Sequence, residues 1–298
     1  MAYRMASPTE QGIPSELKPA YQECIRLVRS HYENFTVAAR FLSKEVLPHL
    51  SAIYAYCRGV DDLGDEAEGD RLSLLEDRAQ DLELCYSGVP QATHLQALQH
   101  TIRTYNIPPE PFRKLIEANR MDQLHTRHDT FEDLLNYCQH SANPVGHLYL
   151  YVSGYDDEER FRLSDFTCTA LQLANFWQDV HRDYAMGRIY LPQEDMDTFG
   201  YTEDDLALGI CNDAFRSLMA FQVERTQHYF EQGSSLAKLV QGKARLHIKL
   251  FSLGGLRVLD AIRGQRYDIL SKRPVVSKAR KAWLLFKTYV GMKLTRQI

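Results

Sequence analysis

Two short stretches of the chain carry carboxylates at a spacing suited to a divalent cation. In Tyr54-Ala55-Tyr56-Cys57-Arg58-Gly59-Val60-Asp61-Asp62-Leu63-Gly64-Asp65, an apolar, aromatic-rich helical pattern runs into three aspartates, with Glu66 next. Asp61 and Asp65 are four apart and share one face of a helix. Like charges at that spacing cost roughly 0.2–0.5 kcal/mol per pair on an exposed helix, and burial raises the penalty to several kcal/mol per ion. A bound cation is the natural compensation. Gln172-Leu173-Ala174-Asn175-Phe176-Trp177-Gln178-Asp179-Val180-His181-Arg182-Asp183 repeats the pattern, with Asp179 and Asp183 again four apart. Asn175 and Gln172 lie one and two turns before Asp179 on the same face. Two helices of this kind are expected to point their carboxylates into one cavity, as helical bundles build metal sites.

The donors are all oxygen, which suits Mg²⁺. That ion keeps several waters and binds through one or two carboxylates together with substrate phosphates. The expected ligands are Asp61, Asp65, Asn175, Asp179 and Asp183, and the implied substrate carries a diphosphate. Arg58, one turn before Asp61, is placed either to meet the diphosphate oxygens or to pair with Asp61 or Asp62. Lewis-acid neutralisation of the leaving diphosphate permits heterolysis to a carbocation. Phe35, Tyr54, Phe176 and Trp177 offer a water-poor lining whose ring faces favour cations, although Phe176 and Trp177 read first as core. His31, His140 and His181 are left open between ligands and structural histidines.

The elements that must position these residues are helical. Apolar periodicity predicts helices at about 15–32, 45–66, 72–87, 93–105, 111–126, 131–152, 163–184, 213–232, 235–263 and 277–292. Ser15 is the expected N-cap of the first. Pro144 is expected to kink or break the 131–152 segment, and Arg188-Ile189-Tyr190-Leu191-Pro192 to leave the 163–184 helix as an extended exit. Few period-2 runs occur and no Gly-rich turn follows a strand, so nucleotide-binding α/β folds have no support. The expected architecture is one all-α domain over residues 15–298, about ten helices around a central cavity, after a flexible tail at 1–14.

Composition narrows the function classes. The 298 residues are 44% apolar and 25% charged, ordinary for a globular protein. A net charge of −4 gives no reason to expect nucleic acid. Cys24, Cys57, Cys85, Cys138, Cys168 and Cys211 are scattered without a Cys-x-x-Cys pair, against a zinc site or disulfide framework. No apolar run reaches the roughly 18 residues of a spanning helix, and no signal-peptide core opens the chain. A cytoplasmic protein is expected. The basic stretch from Lys272 to Arg296, around Trp283, Leu284, Leu285 and Phe286, suits either a packed terminal helix or peripheral contact with an anionic membrane.

With both clusters in hand, the sequence resembles the squalene/phytoene synthase family. Tyr54-x-x-x-Arg58-x-x-Asp61-Asp62-x-x-Asp65 is similar to its first aspartate-rich motif. Gln172-x-x-Asn175-x-x-x-Asp179-x-x-x-Asp183, running on to Gly187-Arg188-Ile189-Tyr190-Leu191-Pro192, is similar to its second. His31-Tyr32-Glu33-Asn34-Phe35 falls at the family's flap segment, and Tyr137-Cys138 with Val145-Gly146 at its kinked central helix. The resemblance implies the isoprenoid synthase fold, Mg²⁺ as cofactor and an isoprenoid diphosphate substrate. It implies catalysis through Asp61, Asp62, Asp65, Asp179 and Asp183, with substrate contacts from His31, Tyr54, Arg58, Asn143, Gln172, Asn175 and Arg188. Asn34 stands where serine is usual, Gln178 where arginine commonly precedes the first aspartate, and Arg182 where an acidic residue is usual. Together, His31-Tyr32-Glu33-Asn34-Phe35, Ser141-Ala142-Asn143-Pro144-Val145-Gly146 and Asn175-Phe176-Trp177-Gln178-Asp179-Val180 resemble the hydroxysqualene-forming branch of bacterial hopanoid clusters. That branch ionises presqualene diphosphate from a sister enzyme, rearranges the cation and traps it with water; a flavin-dependent reductase then gives squalene. Head-to-head condensation by a prenyltransferase is the alternative, and a non-catalytic assembly factor a remote one, since all five aspartates are present. Asn143, His140 and Tyr54 are the candidates for holding the quenching water.

Overall fold

The computed structural model describes residues 12–31, 45–277 and 288. Tyr32 to Phe35, most of the expected tail and all of the 277–292 helix beyond its first residue except Thr288 lie outside the described residues, as does the side chain of His31. Among the described residues every regular element is helical, as the apolar periodicity predicts. The α-helices are α1 (Lys18–His31), α2 (Val46–Asp65), α3 (Arg71–Ser87), α4 (Thr93–Tyr105), α5 (Glu110–Leu124), α6 (Phe131–Ser141), α7 (Asn143–Val152), α8 (Glu158–Ala185), α9 (Gln193–Phe199), α10 (Glu203–Ala207), α11 (Asp213–Gly233), α12 (Leu236–Leu239) and α13 (Gly242–Gly264). No helix among them is long and apolar enough to cross a membrane.

Several boundaries differ from the sequence expectation for local reasons. Ser15–Leu17 forms a 3-10 turn, so Ser15 is not the N-cap; α1 begins at Lys18, with Pro19 in its first turn, where a missing N–H costs nothing. The 131–152 segment breaks at Ala142, leaving Pro144 in the first turn of α7. The expected 235–263 helix is two: Val240 and Gln241 are extended, and Gly242 takes a left-handed φ of 57°. α9 was not expected, and α10 forms where an acidic turn was expected. In α10 a capping box between Thr202 and Asp205 satisfies the first-turn donors.

Contacts group the chain into two compact units: residues up to Gln123 with Pro144–Glu158, and Leu124–Asn143 with Glu159 onward. In the first, α2 has two sides. Leu50, Ile53, Tyr56 and Val60 pack against Leu75, Leu82 and Cys85 of α3, Leu95, Leu98 and Ile102 of α4, Phe112 and Leu115 of α5, and Leu148 of α7. Each such side chain gains about 1.5–3 kcal/mol on burial. Tyr54, Arg58, Asp61 and Asp65 are left on the other side. Ala20, Ala52, Ala55 and Ala97 allow α1, α2 and α4 close approach.

In the second unit α8 is buried around much of its circumference, from Leu163 to Val180. Its closest neighbours meet it at glycines. A Cβ on Gly233 would lie 2.3 Å from Thr167 Oγ1, and one on Gly255 would lie 2.9 Å from Leu171 Cδ2. Trp177 is fully buried and donates to Thr226 Oγ1 at 2.7 Å. Buried Asp195 takes a forked pair from Arg225 at 2.8 and 2.9 Å, and Arg225 lies between the rings of Phe131 and Phe221.

A polar cluster ties α1 to α2 and α4 in the first unit. The Tyr21 hydroxyl lies 3.1 Å from His49 Nδ1, 2.8 Å from His100 Nδ1 and 3.0 Å from Thr101 Oγ1. Burial, then repulsion from His100, lowers the His49 pKa to about 4, against about 6.5 in an unfolded chain. Between those values the unfolded state holds more protons, so the contribution is complete above pH ~6.5 and is lost as pH falls towards 4. The loss is about 3 kcal/mol. Urea denaturation is expected to show a midpoint that falls from pH 7 to pH 4.5, with a shallower fall in His49→Gln.

Candidate active site

The first carboxylate cluster is at the C-terminal end of α2. Tyr54, Arg58, Asp61 and Asp65 recur at helical spacing on the side that the core leaves open. Arg58 lies 2.6 Å from Asp62 and 2.7 Å from Glu66, forming a ladder along the helix surface. Arg58 therefore pairs with Asp62, one of the two arrangements its position allowed. Asp61 keeps solvent-accessible surface, yet protein surrounds its carboxyl closely enough for desolvation to dominate. Its pKa is pushed up to about 6, with repulsion from Asp65 adding to the rise and a hydrogen bond from Asn119 opposing it. A carboxylate held in that condition is one that a cation would stabilise.

Asn119 is a functional neighbour that sequence reasoning missed. Its Nδ2 donates to Asp61 Oδ1 at 3.3 Å and to Leu115 O at 3.1 Å, and the residue is buried. Gln123, one turn on, donates to Gly64 O at 3.0 Å. The two helices meet where α2 has no side chain: a Cβ on Gly64 would fall 2.1 Å from Asn119 Oδ1. Gly64 in the Asp-Asp-Leu-Gly-Asp run thus admits the residue that backs Asp61. The available signal was a pair of amides, Asn119 and Gln123, four apart in an otherwise amphipathic helix.

The second carboxylate cluster is on the C-terminal part of α8. Gln172, Asn175, Asp179 and Asp183 are each at least partly exposed, while Leu173, Ala174, Phe176, Trp177, Gln178 and Val180 are buried between them. The apolar helix and its polar stripe are as the spacing predicts. Phe176 is core: it stacks on Tyr190 at 3.9 Å, and His128 stacks on the far side of that tyrosine at 5.6 Å. Trp177 is core as well. The exit from α8 is extended, and its backbone is tied to 126–129: Ile189 N donates to Thr126 O and Gln193 N to His128 O, both at 2.9 Å. Arg127 Nη1 fixes the turn by donating to Gly187 O at 2.7 Å, and Gly187 has a φ of 83°. Arg188 follows, half-buried.

Asp179 does not stand alone. Arg273 takes both of its oxygens, through Nε to Oδ1 and through Nη2 to Oδ2 at 2.9 Å. Sequence reasoning missed Arg273, which sits within the basic C-terminal stretch. At the break before α7, buried Asn143 accepts from Thr169 Oγ1 at 3.0 Å. His140 Nδ1 bonds to Asn136 O at 2.8 Å within its own helix.

Among the described residues no three His, Cys, Asp or Glu side chains converge as one metal cage. The donor set fits Mg²⁺ all the same, because that ion takes one or two carboxylates and completes its shell with water and phosphate oxygens. Asp61 and Asp65 supply such a pair on α2, and Asp179 and Asp183, with the Asn175 amide, supply another on α8.

The family model for squalene/phytoene synthase matches residues 28–280. A 15-cis-phytoene synthase of Synechococcus elongatus is 32% identical over 281 residues, covering 90% of this chain and 91% of the relative. The crystal structure of squalene synthase HpnC from Alicyclobacillus acidocaldarius superposes with a TM-score of 0.83 at 48% identity, over 86% of this chain and 97% of that one. A dehydrosqualene synthase shares the fold with a TM-score of 0.86 at 24% identity, over 96% and 99%. With both aspartate motifs inside the matched residues, this chain belongs to the squalene/phytoene synthase family of isoprenoid-biosynthetic enzymes.

Proposed function

We propose that this chain is a hydroxysqualene synthase, a lyase that ionises presqualene diphosphate, lets the cation rearrange and captures it with water. The pair of carboxylate stripes, each at the end of an apolar helix and one with a carboxyl pKa raised to about 6, supports the ionisation step, and the likeness to the squalene branch supports the fate assigned to the cation. Asp61, Asp65, Asn175, Asp179 and Asp183 are the residues that would hold Mg²⁺. Bound there, the ion supplies charge neutralisation for the leaving diphosphate. Asp62 is tied to Arg58 and sets the shape of the α2 surface rather than offering a free donor. Asn119 orients the Asp61 carboxylate. Gln172, Arg188 and Tyr54 complete the substrate contacts in this assignment, with His31 a further contact beyond the described side chains.

Two observations favour the squalene branch: 48% identity to a protein named squalene synthase, and the Asn143 and Gln178 departures. The phytoene synthase relatives favour the second reading, a transferase that joins two prenyl diphosphates head to head. A sister condensing enzyme would supply presqualene diphosphate, and a flavin-dependent reductase would consume the C30 alcohol. Both molecules are poorly soluble, so peripheral contact with the cytoplasmic membrane face through the basic C-terminal stretch accompanies this reading.

Purified protein given presqualene diphosphate and Mg²⁺, without a nicotinamide, is expected to release diphosphate and a C30 alcohol. Recovery of unreacted presqualene diphosphate with turnover of farnesyl or geranylgeranyl diphosphate would establish the transferase instead. Asp61→Ala and Asp179→Ala are each expected to lower turnover at least 100-fold while far-ultraviolet circular dichroism stays helical. Gly64→Ala drives Asn119 off Asp61, so kcat is expected to fall about tenfold, worth ~1.4 kcal/mol. Unchanged kcat in that variant would remove Asn119 from the mechanism.

A further inference from the structure

The segment after α13 is a strap built to reach α8. Arg266 and Tyr267 both take left-handed backbone, with φ of 51° and 62°, an uncommon pair for residues other than glycine. Arg216 of α11 holds the turn by donating to Arg266 O and pairing with Asp268 at 3.8 Å. Ser271 closes the next turn through its N–H and hydroxyl to Asp268, at 3.1 and 3.0 Å. The strap then lands on two adjacent residues of α8. Gln178 Nε2 donates to Pro274 O, and Gln178 Oε1 accepts from Arg273 Nη2 at 3.2 Å. The same guanidinium forks onto Asp179.

Gln178 is buried, whereas the Arg273 side chain is half exposed and that of Asp179 only 18% exposed. A buried amide thus holds a guanidinium that is itself half exposed to solvent. The fork takes one lone pair on each carboxylate oxygen and sets a full positive charge beside them, so a cation on Asp179 competes with the guanidinium for the same carboxylate. Guanidinium stays charged at every accessible pH, so only another cation can take its place.

We propose that Arg273 is an internal counter-ion for Asp179 that a divalent cation must displace, and that Gln178 is the positioning residue that keeps it within reach. The proposal rests on Asp179 being a metal ligand. The strap then sets metal affinity: an arginine that occupies its carboxylate nine times in ten weakens apparent cation binding about tenfold. Where Gln178 replaces a charged residue, the positive charge beside Asp179 comes from the strap, a segment that can release it. Tight capture of the ion before substrate arrives is thereby opposed.

The test is Mn²⁺ binding to the full chain, followed by electron paramagnetic resonance, with no substrate present. Arg273→Gln is expected to bind Mn²⁺ about tenfold more tightly than wild type, and Arg273→Lys, which keeps the charge but loses the fork, to fall between them. Gln178→Leu keeps the arginine and frees it from its anchor, so it is expected to tighten binding by a smaller factor; it also keeps the proposal testable if Arg273→Gln fails to fold. In an Asp179→Asn background the effect of Arg273→Gln is expected to vanish. Wild-type or weaker affinity in both Arg273→Gln and Gln178→Leu overturns the proposal while leaving Asp179 a ligand. Absence of bound Mn²⁺ from every variant, wild type included, overturns the metal reading and this proposal with it.

Discussion

The site depends on carboxylates placed where solvation alone does not satisfy them. Asp61 and Asp65 repel along α2, and the protein around Asp61 raises its pKa to about 6. The chain answers with partial compensations, each local. Asn119 gives Asp61 one neutral hydrogen bond, Arg58 serves Asp62 and Glu66, and Arg273 serves Asp179. An amide donor is worth far less to a carboxylate than a cation. The α2 cluster therefore retains unfavourable charge, and a cation bound there, as proposed, would relieve it.

Holding such charges requires helices that do not yield, and the packing explains why they do not. α2 is anchored through Leu50, Ile53, Tyr56 and Val60, and α8 through residues around much of its circumference. Close approach at Gly64, Gly233 and Gly255 brings neighbours in without intervening side chains. The direction of Asp61 is set by the α2–α5 contact at Gly64 more than by its own rotamer preferences. The α8 stripe is set in the same way, since Trp177 and Gln178 are pinned on the buried side and the aspartates must face outward.

How legible this was follows from the range of each interaction. Helices α2, α4 and α11 could be read because amphipathic periodicity is a local record of which side is buried. The two aspartate stripes were legible for the same reason. Asn119 and Arg273 were not, because their partners Asp61 and Asp179 lie 58 and 94 residues away and no local pattern records such a pairing. The break before α13 escaped because its cause is a lone Gly242 with two extended residues before it, and isolated glycines often pass inside helices. α9 escaped because seven residues with five polar side chains carry little periodicity.

The carboxylates account for loss of a diphosphate and say nothing about the fate of the cation. Asn143 bears on that second question, and its hydrogen bond narrows what it can do. Its carbonyl oxygen already accepts from Thr169, and in the proposed reaction its Nδ2 donors are the contact it offers a water. A water held there would accept from the amide and keep a lone pair outward, with no base taking its proton. General-base help matters for weak electrophiles; a carbocation is reactive enough to take a neutral water and shed the proton afterwards. In the proposed reaction Thr169 on α8 would act indirectly, by fixing the amide's orientation. The helix that carries Asp179 and Asp183 also supplies that hydroxyl, so the proposal links diphosphate departure and the orientation of Asn143 through one element of the second unit.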